Sequence, residues 1–188
     1  VVLAYGEDFP DALCAVPLAK MLNAPILLTD YADLNKAVSD EIIRLGAKNV
    51  YIIGGTGVIS AGIEDTLNKT GLNCTRLGGE DRYKTSLTVA EYMAKTFTMS
   101  SEMAIVTGED FPDALSIASI AGIRKMPILL STKEKLSDEA KSYITKHNTT
   151  VNYIVGGEGV ISNAVEKDVV NHKRLSGSNR YETNIAVL

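Results

Sequence analysis

The sequence predicts an α/β protein made of tandem small modules, each a short, mostly parallel sheet with helices on both faces. Three observations predict it. The octapeptide Gly6-Glu7-Asp8-Phe9-Pro10-Asp11-Ala12-Leu13 returns unchanged as Gly108 to Leu115, an offset of 102 residues from position 6 to position 108. Short, continuously apolar runs alternate with longer segments of helical pattern, as expected of buried parallel strands joined by crossover helices. The 188 residues leave each copy long enough to bury a core of its own.

The elements follow in chain order. Val1-Val2-Leu3-Ala4 reads as a strand that opens the first copy. Pro25-Ile26-Leu27-Leu28 matches Pro127-Ile128-Leu129-Leu130, a second buried strand. Leu34, Val38 and Ile42 match Leu136, Ala140 and Ile144, the apolar face of a helix. Tyr51 to Ser60 matches Tyr153 to Ser162, a third strand that runs into a glycine-rich loop. A last block recurs at an offset of 98, from position 76 to position 174. There Arg76-Leu77-Gly78-Gly79, Arg82-Tyr83 and Thr85 match Arg174-Leu175-Ser176-Gly177, Arg180-Tyr181 and Thr183.

The second copy shows the unit whole. It opens on Arg76-Leu77 and continues as a helix from about Asp81 to Lys95. Met103 to Thr107 is a buried strand, and Pro112 sits where a helix start tolerates proline, with the helix running to about Arg124. Ile128 to Leu130 follows as a strand, and Ser137 is placed to cap a helix reaching about His147. Val151 to Val155 is the third strand, and Ser162 caps a last helix to about Asn171. The expected boundaries are a first module over 1–75 that lacks the opening segment, a complete module over 76–173, and the start of a third over 174–188. The chain begins on a strand and stops inside a helical pattern, so it reads as a piece of a longer protein.

Composition narrows the function classes. A net charge of −4 argues against nonspecific nucleic-acid binding, and an anionic ligand needs a local arginine cluster. There is no Trp to serve as a sugar-stacking platform. No apolar run approaches the roughly 20 residues of a membrane span. Cys14 and Cys74 do not occupy matching places in the two copies and read as small buried residues rather than a disulfide framework. His147 and His172 are not repeated either, so no metal or cofactor is expected.

Four motifs carry chemistry. The loops Gly54-Gly55-Thr56-Gly57 and Gly156-Gly157-Glu158-Gly159 sit between strand and helix. They either offer N–H groups to an anion or make a tight turn for close packing; Glu158 and the missing P-loop lysine favour the turn. Asp8, Asp11, Asp110 and Asp113 lie at helix starts, where carboxylates complement the dipole, and Asp11 and Asp113 can also pair with the repeated arginines. Arg76, Arg82, Arg174 and Arg180 flank glycine-containing turns, and a guanidinium fork suits a carboxylate or phosphate. Tyr83 and Tyr181 either stack on a sugar or pack beneath the turn. Ile26-Leu27-Leu28 and Ile128-Leu129-Leu130 are core strands by composition or, alternatively, strand ends at a module interface.

Taken together, the run from Arg76 to Thr85, the octapeptide at Gly108 to Leu115, Pro127 to Leu130 and Ile154 to Gly157 resemble the cell-wall-binding repeat 2 family of clostridial and related Gram-positive surface proteins. The resemblance implies Toprim-like, Rossmann-like sandwich modules, usually three in pseudo-threefold array. They anchor a parent protein noncovalently to an anionic cell-wall polysaccharide outside the cell. It implicates Ile26, Leu27, Leu28, Ile128, Leu129 and Leu130 in anchoring, and neighbouring modules of the same family as partners. Candidate ligand-binding residues are these six with Arg76, Arg82, Tyr83, Arg174, Arg180 and Tyr181. The expected function is therefore noncatalytic wall binding. The alternatives are a fragment of a wall hydrolase, such as an amidase or protease, whose catalytic module lies elsewhere, and an S-layer self-association module.

Overall fold

A computed structural model describes all 188 residues. The apolar run at the start forms β1 (Val2–Tyr5), and Pro10 opens a helical segment split into α1 (Pro10–Cys14) and α2 (Val16–Leu22). The split has a local cause. Pro17 has no N–H to continue the hydrogen-bond ladder, whereas its counterpart Ser119 lies inside one unbroken helix. β2 (Ile26–Thr29), α3 (Lys36–Arg44), β3 (Asn49–Ile53), α4 (Ala61–Lys69) and β4 (Asn73–Leu77) complete the first unit. The second follows with α5 (Arg82–Thr96), β5 (Glu102–Thr107), α6 (Pro112–Arg124), β6 (Ile128–Ser131), α7 (Asp138–Lys146), β7 (Val151–Val155), α8 (Asn163–Asp168) and β8 (His172–Leu175). The last element is α9 (Arg180–Val187).

Both sheets are parallel and wound alike, in the orders β2-β1-β3-β4 and β6-β5-β7-β8. Their registers repeat as well: Val2 faces Ile26 in one, and Ala104 faces Ile128 in the other. Strand side chains alternate between two cores. Leu3, Val50 and Ile52 join α3 and α4 on the outer side of the first sheet. Met103, Ile105 and Ile154 join α7 and α8 on the outer side of the second. Between the sheets lies one shared core, in which Val2, Leu18 and Ile53 of the first unit meet Ala104, Ile117, Val155 and others of the second. Helices thus cover both faces of each sheet, as the sequence predicts.

The structure adds two strands that apolar patterning did not mark. Asn73-Cys74-Thr75-Arg76-Leu77 and His172-Lys173-Arg174-Leu175 are the edge strands β4 and β8. Polar and charged residues suit an edge, where they discourage pairing with other chains. The position where the sequence repeat opens, Arg76, therefore falls inside the last strand of the first sheet. The helix expected to reach Asn171 stops at Asp168, because Val169 is extended and Asn171 turns left-handed (φ 51°) to lead into β8. Cys14 is buried, but Cys74 is only partly so.

Candidate functional site

Parallel strands bring their carboxyl ends to one edge of a sheet. Here chain order reverses between β1 and β3, because β2 lies on one side of β1 while β3 and β4 lie on the other. A crevice opens at such a switch point. Three loops frame it: Gly6–Phe9 after β1, the glycine loop after β3, and Gly78–Asp81 after β4. The first unit holds a cavity of 280 Å³ here, lined mainly by polar groups such as Asp8, Asp11, Gly55 and Arg82. The second unit repeats it at 330 Å³ with Asp110, Asp113, Gly157 and Arg180.

Arg76 and Arg174 hold, from behind, the glycine loops that border these crevices. The Arg76 guanidinium donates to the carbonyls of Gly54 and Ile59, each at 3.0 Å, and to Glu64 at 2.7 Å. Arg174 repeats the set with Gly156 at 2.7 Å, Ile161 at 3.0 Å and Glu166 at 2.7 Å. Each arginine thereby ties the glycine loop to the helix beyond it, and its donors are turned inward on the fold.

The floor is a carboxylate. Asp11 is 8% exposed, and its Oδ1 has no hydrogen-bond partner. Gly54 makes room for it: at φ 115°, any Cβ would stand 2.6 Å from Asp11 Oδ2. Asp113 is 7% exposed, and Gly156 (φ 118°) leaves the same space, with a Cβ placed 2.5 Å from Oδ2. Burial pushes the Asp11 carboxyl up to about 6, with Asp8 adding to the rise and Arg82 opposing it. Burial likewise raises Asp113, with Asp110 adding and Arg180 opposing. The glycine loop is therefore a tight turn, and its conformation serves the carboxylate beside it.

Arg82 and Arg180 stand at the rims. Arg82 pairs with Asp8 at 2.9 Å and donates to the Gly108 carbonyl of the second unit, so it clasps the two units together. Its guanidinium also lies 5.9 Å from the centre of the Phe9 ring, which meets Phe111 edge-on at 6.0 Å. Arg180 approaches Asp110 at 3.7 Å. The arginine partners are thus Asp8 and Asp110; the pairing with Asp11 and Asp113 that sequence spacing allowed is not formed. Tyr83 is half-buried over Gly108 and against the shared core, whereas Tyr181 is exposed.

Ile128, Leu129 and Leu130 are buried. Ile128 and Leu130 face the shared core, and Leu129 faces the outer one. Ile26 and Leu27 are half-buried, and Leu28 is exposed. Sequence reasoning did not single out Asp11 and Asp113 as crevice floors, nor Thr85 and Thr183, which accept the N–H of Gly79 and Gly177 at 3.1 Å each. The available signal was the joint repetition of aspartate and glycine in both copies.

A pair of matching switch-point crevices on tandem parallel sheets, each with a carboxylate floor and an arginine rim, defines a duplicated α/β module. The chain belongs to the cell wall binding domain 2 (CWB2) family, whose model matches residues 1–64 and 76–166. It is 33% identical over 181 residues to the N-acetylmuramoyl-L-alanine amidase LytC of Bacillus subtilis, covering 96% of this chain and 36% of that protein. It is 35% identical over 193 aligned residues to the amidase enhancer of the same organism, covering 100% of this chain and 25% of that protein. Cwp6 from Clostridium difficile superposes with a TM-score of 0.90 at 30% identity, over 99% of this chain and 31% of that one. Cwp8 from the same organism gives 0.86 at 34%, over 99% and 32%. The chain thus spans about a third or less of each. Its role is cell-wall binding, which fits a noncatalytic part, and the likenesses point to the cell surface or wall.

Proposed function

We propose that this chain holds an extracellular surface protein to an anionic cell-wall polysaccharide, through the two switch-point crevices. The observation that supports this most is their recurrence: the same floor, glycine loop and rim arginine are built twice. Two weak sites on one rigid body bind a repeating polymer with avidity, which gives duplication a purpose. Arg82 and Arg180 meet the polymer at the rims, the exposed Tyr181 offers its ring beside the second, and Tyr83, packed over Gly108, holds the first in place. Arg76 and Arg174 contribute by holding the loops, and the Ile-Leu-Leu strands by building the cores and module contacts. We further infer that hydrolytic chemistry in the longer protein, of the kind named for LytC, lies outside these residues.

A cosedimentation assay with purified wall polysaccharide tests the reading. Arg180→Gln with Arg82→Gln is expected to weaken retention about tenfold, the effect of losing about 1.4 kcal/mol of charge-assisted contact. Unchanged retention removes the arginines from the site. Absence of binding by the unaltered chain removes the function.

A neighbouring module of the same family is the second proposed partner. In the second unit, α5 lies along β6 and covers it: Ser86 accepts the Leu130 N–H at 3.0 Å, Leu87 is 1% exposed and Leu130 2%. The matching positions are open at both ends of the chain, with Ile185 on α9 71% exposed and Leu28 on β2 51%. A further unit stacked by the same helix-on-strand contact covers both.

A further inference from the structure

The floor of each crevice suits the opposite charge from its rim. In the first, Asp8, Asp11, Glu80 and Asp81 line the cavity against Arg82 alone, and Arg82 is already engaged by Asp8 and the Gly108 carbonyl. In the second, Asp110 and Asp113 stand against Arg180. An anion set on either floor meets carboxylates at close range.

The deepest group in the first cavity lacks a donor. Asp11 Oδ1 is buried and unpaired. Leaving such an atom unpaired is unfavourable, more so when charged, and folds normally supply a partner. Here the nearest residue of the loop is a glycine at positive φ, packed so close to the carboxylate that no side chain could stand there to supply a hydroxyl or amide. The second unit repeats the buried carboxylate and its glycine at Asp113 and Gly156, while the sealed, unpartnered oxygen belongs to Asp11 alone. Volumes of 280 and 330 Å³ lie at the small end of ligand sites, roughly 300 Å³ upward, which is the scale of one monosaccharide.

We propose that each crevice seats the free amino group of an amino sugar, its ammonium donating to Asp11 in the first unit and to Asp113 in the second. The inference rests on the polysaccharide-binding reading and deepens it. Arg180, which only approaches Asp110 at 3.7 Å, is the freer of the two rim arginines to meet an anionic group of an adjoining residue, so the polymer recognised carries both charges. An ammonium at the floor gives the Asp11 carboxyl a charge-assisted donor, of which it has none in the fold, and offsets the local excess of carboxylates. An N-acetylated sugar brings no charge to the floor.

The test is a nuclear magnetic resonance titration of the 188-residue chain with glucosamine, N-acetylglucosamine and glucose 6-phosphate, following the amides of Gly55, Gly79, Gly157 and Gly177. Glucosamine is expected to shift all four near neutral pH, with N-acetylglucosamine about tenfold weaker, the loss of one charge-assisted contact. At about pH 4.5, where a floor carboxyl titrating near 6 is protonated, glucosamine binding at the first crevice falls about tenfold or more. Asp11→Asn is expected to abolish the shifts at Gly55 and Gly79 and spare those at Gly157 and Gly177. Asp113→Asn does the reverse, so each crevice controls for folding of the other, and the pH series needs no variant. Equal shifts from glucosamine and N-acetylglucosamine, or stronger shifts from glucose 6-phosphate, overturn the assignment. No shift from glucosamine, in a chain that still cosediments with wall polysaccharide, overturns the subsite and leaves wall binding standing. Loss of both overturns both.

Discussion

Asp11 illustrates how a buried carboxylate works against the fold that carries it. Its carboxyl titrates at about 6 in the folded chain against an ordinary 3.8, because burial disfavours the charge. The folded state therefore holds this proton more tightly than the unfolded one. The stability that follows is fully present below about pH 3.8 and is lost as pH rises through about 6. The difference corresponds to about 3 kcal/mol. Asp11→Asn removes the ionisation and keeps the shape. We expect it to raise stability in urea unfolding by about 1–3 kcal/mol at about pH 7.5 and to change little at about pH 4. An equal effect at both pH values contradicts the burial account. In sequence, Asp8 and Asp11 are two carboxylates at one helix start, and spacing offered Asp11 as the arginine's partner, where the fold uses Asp8. Only the three-dimensional placement separates the rim partner of Arg82 from the floor beneath Gly54. Arg76 was similarly opaque, because its acceptors at Gly54 and Ile59 are backbone carbonyls, and a carbonyl left free at a loop has no signature in sequence.

At the scale of elements, legibility followed burial. β1, β3, β5, β6 and β7 are covered on both faces and read as apolar runs. β4 and β8 are edge strands with charged residues, so periodicity gave no strand signal and the repeat seemed to open on a turn. β2 is the instructive case. Its Ile-Leu-Leu is identical to that of β6, yet one is open and the other buried, and the difference is the helix laid alongside. No local pattern encodes it. Because α9 presents the face that α5 buries, and β2 the edge that β6 buries, the chain carries both halves of one heterologous contact. We expect its mass by light scattering to rise with protein concentration, as copies associate head to tail. Leu28→Lys with Ile185→Lys is expected to abolish that rise without altering the fold, since both residues are exposed. A chain that remains monomeric up to high concentration counts against α9 and β2 as matching surfaces.

The whole molecule is less divisible than its sequence. The repeat suggests two modules, each with a private core, and each sheet does have one on its outer side. The inner faces share a single core instead, where α2 packs on α6 and the side chains of both units interleave. α5 binds them further, since its Val89 and Met93 enter the shared core while Leu87 and Ala90 enter the outer core of the second unit. A unit cut away from its neighbour exposes half of that inner core to water. At about 25 cal/mol per Å² of apolar surface, the loss exceeds what a small sheet with one remaining outer core has to spare. The two units should therefore unfold together. Leu18→Ala, in the first unit but in the shared core, is expected to cost about 2–4 kcal/mol. Hydrogen exchange then distinguishes the arrangements. If the core is common, the substitution accelerates exchange at Leu3 of β1 and at Ile105 of β5 by the same factor, because both amides open only through global unfolding. If the units were independent, Leu3 would respond and Ile105 would not. Equal acceleration is the outcome that a rigid pair of crevices requires, since avidity for one polymer depends on their fixed spacing.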